Sequence, residues 1–427
     1  MWALGRSSLK MYRDGQSWQV FPRGSCGFST RATSLGGRPK HMSRNLSSPL
    51  RIGYVVSMAQ GLQSFVYREV RELFADGVIV HLFPTKVGPG SYPPDAGWPV
   101  HKISLPALIL THFQTLMANS QRYLAVLREA LVLGGLVDFG LAVFVARTAQ
   151  EQGLRLIHCH FGDHKLFVGY FCGRLSDDPV SVTIHAYELY NNPNPRLFRR
   201  ALDYVRAIVA VAEYNRDVLT ITYGVDPTKI YVVPLFADLP PVPHSKPGGV
   251  ERIIVLTVAR FVEKKGHRTL LKALGRLPEQ YEAWFVGAGP LDVASMAKSY
   301  GVADRVRILG RLEHSDLQDS YRAATIFCLP SETDPSGDRE GIPVSLMEAM
   351  SYGLPVVATR HAGIPELVSE ILVDEGDVDG LARGIDQLGR DPILREELGR
   401  RNRELVRSNF SRENVTRLRR LFEEWAQ

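Results

Sequence analysis

Two carboxylates, Glu340 and Glu348, lie in the segment EGIPVSLME. The segment follows an apolar run, residues 324–330, that is typical of a strand. Pro343 suits the first turn of a helix, which Gly353 would end. We therefore predict that Glu340 lies in a loop and Glu348 on the helix, near backbone N–H groups that face the strand ends. Carboxylates in such places accept hydrogen bonds from the hydroxyl groups of a sugar or a ribose.

The second candidate cluster is basic and lies in the segment ARFVEKKGH, residues 259–267. Arg260 ends a predicted strand and Lys265 precedes a predicted helix, so both side chains could point into a cleft. A planar guanidinium together with an ammonium group suits a diphosphate. The pair would also stabilise the charge that develops as a nucleotide diphosphate leaves. A solvated loop with a salt bridge is the alternative explanation.

Four histidines have both a functional and a structural explanation. His185 ends a predicted strand, which favours a polar role in the cleft. His160 could line the floor of the cleft or could simply pack. His158, His160 and His164 imitate the spacing of metal ligands, but Asp163 is the one carboxylate close to them in the sequence. We therefore predict no metal site there.

Three other patterns fit different enzyme classes less well. Gly287-Ala-Gly289 lacks the third glycine of a dinucleotide fingerprint, so we interpret it as a strand-to-helix turn. Glu340 and Glu348 could be the acid and base of a hydrolase, but no apolar pocket is evident that would keep one of them protonated. Asp177-Asp178 falls in a predicted loop rather than in a DxD motif near a strand end, so we expect a reaction without a metal ion.

The elements that would position these residues alternate regularly along the chain. From residue 50 onward, short apolar runs rich in β-branched residues alternate with helical patterns. The alternation stops at residues 238–249, which contain four prolines and two glycines, and restarts at residue 252. Continuous apolar strands separated by helices predict parallel sheets covered on both faces. We therefore predict two tandem doubly wound α/β domains that face each other across a cleft, with ligands at the carboxyl ends of the strands.

The predicted boundaries divide the chain into five segments. We expect a disordered basic tail (residues 1–49), a first α/β domain (50–240), a linker (241–250), a second α/β domain (251–410), and a last helix (411–427) that could cross back to the first domain.

Composition and charge exclude several classes of protein. Hydrophobic residues make up 45% and charged residues 22% of the 427 residues, which excludes a disordered, collagen-like or coiled-coil chain. Residues 1–49 contain eight basic residues and one acidic residue, a net charge of +7, whereas the whole chain carries +6. The remainder is therefore close to neutral, and its charge does not indicate nucleic-acid binding.

The N-terminal tail and the cysteines give information on the cellular compartment of the protein. The tail resembles a transit peptide in being rich in Arg and Ser, and Met42 is an alternative translation start. No apolar segment follows the N-terminal charges, so we expect no signal peptide. The four cysteines are scattered singly, which argues against a disulfide scaffold and a cysteine zinc site and fits a reducing, cytoplasmic compartment.

The longest apolar stretch, residues 130–146, is too short to span a bilayer. We interpret it as a buried helix, with a helix face resting on a membrane as the alternative.

Taken in this order, the motifs resemble the retaining GT-B glycosyltransferases of family 4 over about residues 50–427. The most specific part runs from Arg260 to Glu366 and contains VARFVEKKGH, FVGAGPL, ILGRL, EGIPVSLMEAMSYGLPVVAT and HAGIPELV. The N-terminal half adds QSFVYREVREL, HCHFGDH and TIHAYELY, which look like the branch that builds exopolysaccharide and colanic-acid-type repeats. The resemblance implies two Rossmann-like domains, the first on the acceptor side and the second binding a nucleotide sugar.

The resemblance also implies roles for individual residues. Arg260 and Lys265 would bind the donor diphosphate, and His185 would lie near the sugar and the reacting centre as a catalytic residue together with Glu340. Many members carry a Gly-Gly pair after the first strand, whereas this chain has only Gly61 there, which we place with His160 in the cleft. The residues implied to bind the donor sugar and ribose are Glu340, Gly341, Ile342, Pro343, Val344 and Glu348.

The predicted function is that of a retaining glycosyltransferase in polysaccharide biosynthesis. It would move a hexosyl unit from a nucleotide diphosphate sugar to a hydroxyl of a glycan or lipid-linked acceptor, without a cofactor or a metal ion. We expect a cytoplasmic protein, with the inner face of the plasma membrane as a peripheral contact and no nucleic-acid partner. The alternatives are a nucleotide-sugar 2-epimerase, for which His160, Asp163 and His185 could serve as acid and base, and an inactive nucleotide-sugar-binding scaffold.

Overall fold

The structure is a computed structural model, and it describes residues 49–240 and 252–427. The predicted tail, apart from residue 49, and the predicted linker lie outside the described residues.

The first domain is built on a six-stranded parallel sheet with the strand order β2-β1-β3-β4-β5-β6. Its three strands β3, β4 and β5 are buried along their whole length, which explains why they are apolar without alternation. The strands are β1 (Arg51–Met58), β2 (Ile79–Val87), β3 (Ile157–His160), β4 (Val180–Ile184), β5 (Ala207–Ala210) and β6 (Ile230–Val232). The helices are α1 (Ser64–Ala75), α2 (Leu105–Ala118), α3 (Ser120–Leu133), α4 (Leu136–Gln152), α5 (His164–Ser176), α6 (Tyr187–Tyr190), α7 (Pro195–Tyr204) and α8 (Glu213–Tyr223).

The second domain repeats this plan with the strand order β12-β11-β10-β7-β8-β9, again all parallel. The strands are β7 (Ile253–Val258), β8 (Tyr281–Val286), β9 (Val306–Gly310), β10 (Ile326–Leu329), β11 (Val356–Thr359) and β12 (Leu372–Val373). The helices of this domain are α9 (His267–Leu274), α10 (Val293–Ser299), α11 (His314–Ala323), α12 (Val344–Ser351), α13 (Val378–Arg390) and α14 (Pro392–Asn409), and α15 (Arg412–Trp425) follows them in the chain. The predicted fold class, two tandem doubly wound α/β domains, is confirmed.

Helix α12 begins almost where its sequence predicts. Pro343 lies one residue before the helix, as its N-cap, rather than inside the first turn. Its fixed φ prepares the chain for the helix, and its missing N–H costs no hydrogen bond there. Gly353, with a φ of +73°, follows the C-cap. The loop before the helix carries Glu340, and the second turn of the helix carries Glu348.

The interpretation of residues 130–146 as one buried helix is wrong. Gly134 ends α3 in the left-handed conformation, with a φ of +70°, and α4 starts at Leu136. A Cβ at Gly135 would come within 2.8 Å of side-chain atoms of Leu197 and Phe171, so the turn packs closely on the domain. Most of α4 is buried, but Val132 and Val137, on either side of the turn, are exposed. Within the described ranges, no helix combines the length and the apolar character that a membrane span requires.

The last helix of the chain packs on the first domain. Val415, Leu418, Phe422 and Trp425 of α15 are buried in one apolar cluster with residues of β1, β2 and α1. The Arg412 guanidinium pairs with Glu72 at 2.7 Å and with Asp76 at 2.6 Å, both at the end of α1. The apolar stripe of α15 therefore completes the outer layer of the first sheet.

We predict that Phe422→Ala lowers the free energy of unfolding by about 3–5 kcal/mol. The Phe422 side chain is completely buried and packs against the rings of Tyr54, His158 and Trp425, so truncation leaves a cavity that this layer cannot easily fill. Denaturant unfolding measures the change. Arg417→Ala, an exposed position on the same helix, is the control and should change stability by less than about 0.5 kcal/mol. Equal effects of the two substitutions would show that α15 does not cover the sheet.

Candidate functional site

The two domains meet where the loops after β4 and β10 approach each other. A Cβ at Gly341 would lie 2.9 Å from the backbone carbonyl oxygen of His185, so this position has no room for a side chain unless the backbone shifts. The amide of Asn215 donates a hydrogen bond to the same carbonyl. The loop that carries Glu340 in the second domain therefore lies directly against the loop that carries His185 in the first.

Glu340 is buried between two lysines. Its Oε2 lies 2.9 Å from the Lys265 ammonium, and its Oε1 lies 3.5 Å from that of Lys264. Burial alone would raise the pKa of Glu340, but Lys265 and Lys264 outweigh burial and hold this pKa below its usual value. The carboxylate is thus charged at neutral pH. Its Oε1 has no hydrogen-bond donor among the described residues, although it is buried.

His361, which was not among the predicted site residues, supports the backbone of Glu340. The Glu340 N–H donates to His361 Nε2 at 3.0 Å, and His361 Nδ1 lies 2.7 Å from a carboxylate oxygen of Glu375. Because Nε2 accepts, the proton of the neutral ring is on Nδ1 and is donated to Glu375. The signal was present in the sequence, because HAGIPELV begins with this histidine.

The basic segment is divided between two environments. Lys265 ends a one-turn 3-10 helix and is paired with Glu340, whereas Arg260 is exposed and its guanidinium has no ion-pair partner in the parts of the chain that the structure describes. The Arg260 carbonyl accepts a hydrogen bond from His267 Nε2 at 2.9 Å. Burial lowers the pKa of His267 to about 4, so this ring is neutral. The alternative explanation, a solvated loop with a salt bridge, therefore fits Lys265, which forms an ion pair, but does not fit Arg260, which forms none with the described residues.

Two glycine turns hold this basic segment in place. Gly266 has a φ of +64°, and a Cβ there would lie 1.7 Å from the Pro330 carbonyl oxygen at the end of β10. Gly287 has a φ of +139°, and a Cβ there would lie 1.9 Å from the carbonyl oxygen of Ala259. The turn at residues 287–289 therefore joins β8 to α10 and packs directly behind Arg260.

Glu348 is already engaged by the first domain. Its Oε1 accepts a hydrogen bond from Arg68 Nη2 at 2.6 Å, and its Oε2 accepts one from the Tyr321 hydroxyl at 3.1 Å. Arg68, on α1, also pairs with Asp238 at 3.1 Å and is only 5% exposed. Burial opposes the charge of Arg68, but Glu348 and Asp238 outweigh burial and raise its pKa. Arg68 was not among the predicted site residues, although it lies in the segment QSFVYREVREL.

A buried chain of polar groups leads to His185. The Tyr54 hydroxyl donates to Glu69 Oε1 at 2.7 Å, the same oxygen lies 3.0 Å from His160 Nε2, and His160 Nδ1 lies 3.3 Å from His185 Nε2. Because Glu69 accepts, His160 carries a proton on Nε2. In the neutral form of this ring, its Nδ1 accepts from His185 Nε2–H. Tyr54 and Glu69 were not among the predicted site residues.

His185 is therefore a neutral ring with a free acceptor. Burial first, and then the nearby His160 ring and the Lys165 ammonium, lower its pKa well below its usual value. The ring lies between those of Phe65 and Phe161, at centroid distances of 4.7 and 4.2 Å. With Nε2 donating to His160, the Nδ1 lone pair remains as an acceptor.

The three histidines whose spacing imitates metal ligands do not all come together in the structure. His164 pairs with Asp138 at 2.9 Å, and Glu69 takes its place in the cluster with His158 and His160, whose ligand atoms lie within 4.8 Å of one another. Both nitrogens of His158 already face hydroxyls, and both nitrogens of His160 have partners, so this arrangement does not fit a metal ion. Asp163 pairs with Lys165 rather than with His160.

Gly61 lies at the boundary between the domains. Its φ is +71°, and a Cβ there would lie 3.2 Å from the Tyr92 carbonyl oxygen. The Tyr92 hydroxyl in turn lies 3.2 Å from Nδ1 of His314 in the second domain. The glycine thus allows the loop after β1 to pack against a segment that contacts both domains.

Comparisons with known proteins agree with this arrangement. The family model described as "Glycosyltransferase Family 4" matches residues 59–239, and the one described as "Glycosyl transferases group 1" matches residues 244–405. WcaL of Escherichia coli K12, named for glycosyl transfer in colanic acid biosynthesis, is 35% identical over 206 residues, which are 45% of this chain and 48% of WcaL. The amylovoran biosynthesis glycosyltransferase AmsK of Erwinia amylovora is 41% identical over 137 residues, 30% of this chain and 34% of AmsK. The chain spans about half the length of the first curated relatives it matches.

Solved structures share the fold. Alr3699/HepE of Anabaena in complex with UDP superimposes with a TM-score of 0.66 at 18% identity, covering 88% of this chain and 100% of that one. The lipopolysaccharide outer core galactosyltransferase WaaB in its apo form gives a TM-score of 0.60 at 13% identity, with the same two coverages. The two family models meet at the boundary between the two sheets, and the chain belongs to the family 4, group 1 glycosyltransferases of the GT-B fold.

Proposed function

We propose that the protein is a retaining glycosyltransferase of polysaccharide biosynthesis. It transfers a hexosyl unit from a nucleotide diphosphate sugar to a hydroxyl of a glycan or lipid-linked acceptor. The observation that carries the proposal is Glu340, a charged carboxylate at the contact between the domains with a buried oxygen that lacks a hydrogen-bond donor. A sugar hydroxyl is a donor of the right kind for that oxygen. The names of WcaL and AmsK and the UDP complex of HepE support this class of reaction.

The basic segment supplies the charge that a diphosphate requires. Lys265 is held in place by Glu340, and Arg260 is exposed without an ion-pair partner in the described ranges. A donor diphosphate between them would receive a guanidinium fork and an ammonium group. The same cations stabilise the departing nucleotide diphosphate, so the proposed reaction needs no metal ion.

The proposed chemistry occurs on one face of the sugar. The bond from the anomeric carbon to the phosphate oxygen breaks, the acceptor oxygen bonds to the same face, and the acceptor proton passes to the departing phosphate. His185 Nδ1 accepts a hydrogen bond from a sugar or acceptor hydroxyl, while Glu340 holds the sugar from the opposite domain. The neutral state of His185 suits this role because an imidazolium would repel neighbouring cations and could not accept.

Glu348 links donor binding to the contact between the domains. Both of its oxygens have protein partners, Arg68 and Tyr321. A ribose hydroxyl that binds Glu348 must share the carboxylate with these groups or displace one of them.

We also propose a cytoplasmic location, which the three free, buried cysteines of the described residues suit.

We predict that Arg260→Ala lowers kcat/KM while leaving the fold unchanged, because this side chain is exposed and forms no ion pair among the described residues. Loss of one charge-assisted donor to the diphosphate should cost about 2–4 kcal/mol at the transition state, roughly 30- to 1,000-fold in rate. Steady-state kinetics, on a donor first identified by thermal-shift screening of nucleotides, measure the change. Arg268→Ala, an exposed arginine of the next helix, is the matched control. Wild-type turnover in Arg260→Ala would exclude the assigned role.

Glu340→Gln and Glu348→Gln should have different kinetic effects. Glu340→Gln should mainly lower kcat, because sugar positioning matters most as the glycosidic bond breaks, and Glu348→Gln should mainly raise the donor KM through lost ribose contacts. Each carboxylate pairs with a protein cation, so both variants should also lose thermal stability. Kinetic constants per folded molecule separate the two effects. Unchanged constants in both variants would leave the carboxylates a purely structural role.

Activity should survive EDTA, because Arg260 and Lys265 take the place of a divalent cation in the proposed reaction. The measurement is sugar transfer after dialysis against EDTA, with and without added Mg²⁺ or Mn²⁺. Complete loss of transfer that either ion restores would contradict the proposal. Isomerised donor without transfer would instead favour the epimerase.

A further inference from the structure

The exposed apolar residues of this protein are concentrated in one segment. Among the described residues, ten of the fifteen large hydrophobic side chains that are exposed lie between residues 105 and 137. Isolated exposed apolar residues are ordinary, whereas a concentration of this kind marks an interaction surface. We call these residues the apolar face: Leu105, Ile109, Leu110, Phe113, Met117, Leu124, Leu131, Val132, Leu136 and Val137.

Helix α2 contributes a continuous stripe to this face. Leu105, Ile109, Phe113 and Met117 follow one another at intervals of four residues, so they lie on one side of the helix. Phe113 is 62% and Met117 is 69% exposed. The opposite side of α2 packs on the domain core through Ala107 and Leu108. The stripe is therefore not needed to fold the domain.

The charge around the apolar face is positive. Residues 96–128 contain no Asp or Glu, but they include Lys102, just before α2, and Arg128 on α3. Arg128 lies on the same side of α3 as Leu124 and Leu131, four and three residues away. Lys102 and Arg128 are exposed and form no ion pair with other described residues. An apolar stripe with unpaired basic residues beside it is typical of a helix that lies on an anionic membrane surface.

The apolar face begins near the carboxyl edge of the first sheet. Val100 pairs with Leu82 of β2 in parallel, and the His101 N–H donates to the Leu82 carbonyl. The chain thus runs beside β2 in the direction of that strand and enters α2 at Leu105, four residues after His101. The first turn of α2 therefore starts on the side of the sheet that also presents His185.

We propose that the apolar face docks this enzyme on an anionic lipid bilayer, with α2 and α3 lying among the lipid headgroups. The apolar side chains enter the boundary of the acyl region, and Lys102 and Arg128 contact the lipid phosphates. The inference rests on the proposed function, because docking there would bring the site close to a lipid-linked acceptor. A membrane face at residues 130–146, the alternative that the sequence offered, is only part of this surface, because most of that stretch is buried and α2 supplies half of the apolar face.

Co-sedimentation of the full chain with vesicles tests the docking surface. We expect binding to vesicles of phosphatidylcholine with about 30 mol% phosphatidylglycerol, and weaker binding to phosphatidylcholine alone. The double variant Ile109→Ser with Phe113→Ser should bind the anionic vesicles at least about tenfold more weakly. Arg128→Gln should weaken binding to the anionic vesicles by about fivefold and change binding to neutral vesicles little.

The matched control is Ile221→Ser with Ile393→Ser, two exposed isoleucines outside the face, which should bind like the wild type. Undiminished binding by the Ile109/Phe113 variant would overturn the proposal. So would a dimer, seen by light scattering, that this variant abolishes while vesicles do not bind, because the face would then contact a second copy. Transfer to a soluble acceptor is measured separately, and the Ile109/Phe113 variant should retain it. If no variant or wild type transfers sugar but vesicles bind as expected, the proposed function fails and the docking surface stands.

Discussion

The contact between Glu340 and its two lysines determines how the site can work. Burying a single carboxylate at a domain boundary is costly, and the cost is met here by Lys264 and Lys265 on the neighbouring loop. Gly266, which follows these lysines, lies directly against the end of β10, because a Cβ there would come within 1.7 Å of the Pro330 carbonyl oxygen. The carboxylate, the turn and the end of β10 therefore form one arrangement, and the position of Glu340 against the His185 loop follows from it.

A second ion pair crosses between the domains. Arg68 reaches from α1 to Glu348 on α12, and Asp238, just before the undescribed residues 241–251, binds the same guanidinium. Such a buried pair adds little net stability, because the loss of hydration offsets much of the attraction. Its effect is on geometry, since breaking it leaves a buried charge unpaired. The pair therefore favours one relative position of α1 and α12 more than it strengthens the fold.

Features that depend on neighbouring residues could be predicted from the sequence, whereas contacts between side chains far apart in the sequence could not. Continuous apolar strands, the proline before α12 and the turn at residues 287–289 follow from neighbouring residues, so a pattern of a few positions was enough. The Gly134-Gly135 break was visible too, but the apolar composition around it favoured an unbroken helix. Arg68 and Glu69 could not be assigned, because their partners Glu348 and His160 lie 280 and 91 positions away and meet them only in the folded chain.

The charges around Glu340 suggest how diphosphate and sugar binding are coupled in the proposed reaction. Lys264 and Lys265 carry two positive charges, and Glu340 and Asp338, which also pairs with Lys264 at 2.8 Å, carry two negative ones. The charges of these four groups thus sum to zero without a donor, and within residues 259–267 Arg260 is a cation without an ion-pair partner among the described residues. Under the proposed function, a diphosphate bound by Arg260 would compete with Glu340 for the Lys265 ammonium. If Lys265 turned toward the phosphate, Glu340 would lose a partner and gain acceptor capacity for sugar hydroxyls, so that each part of the donor would prepare the site for the other.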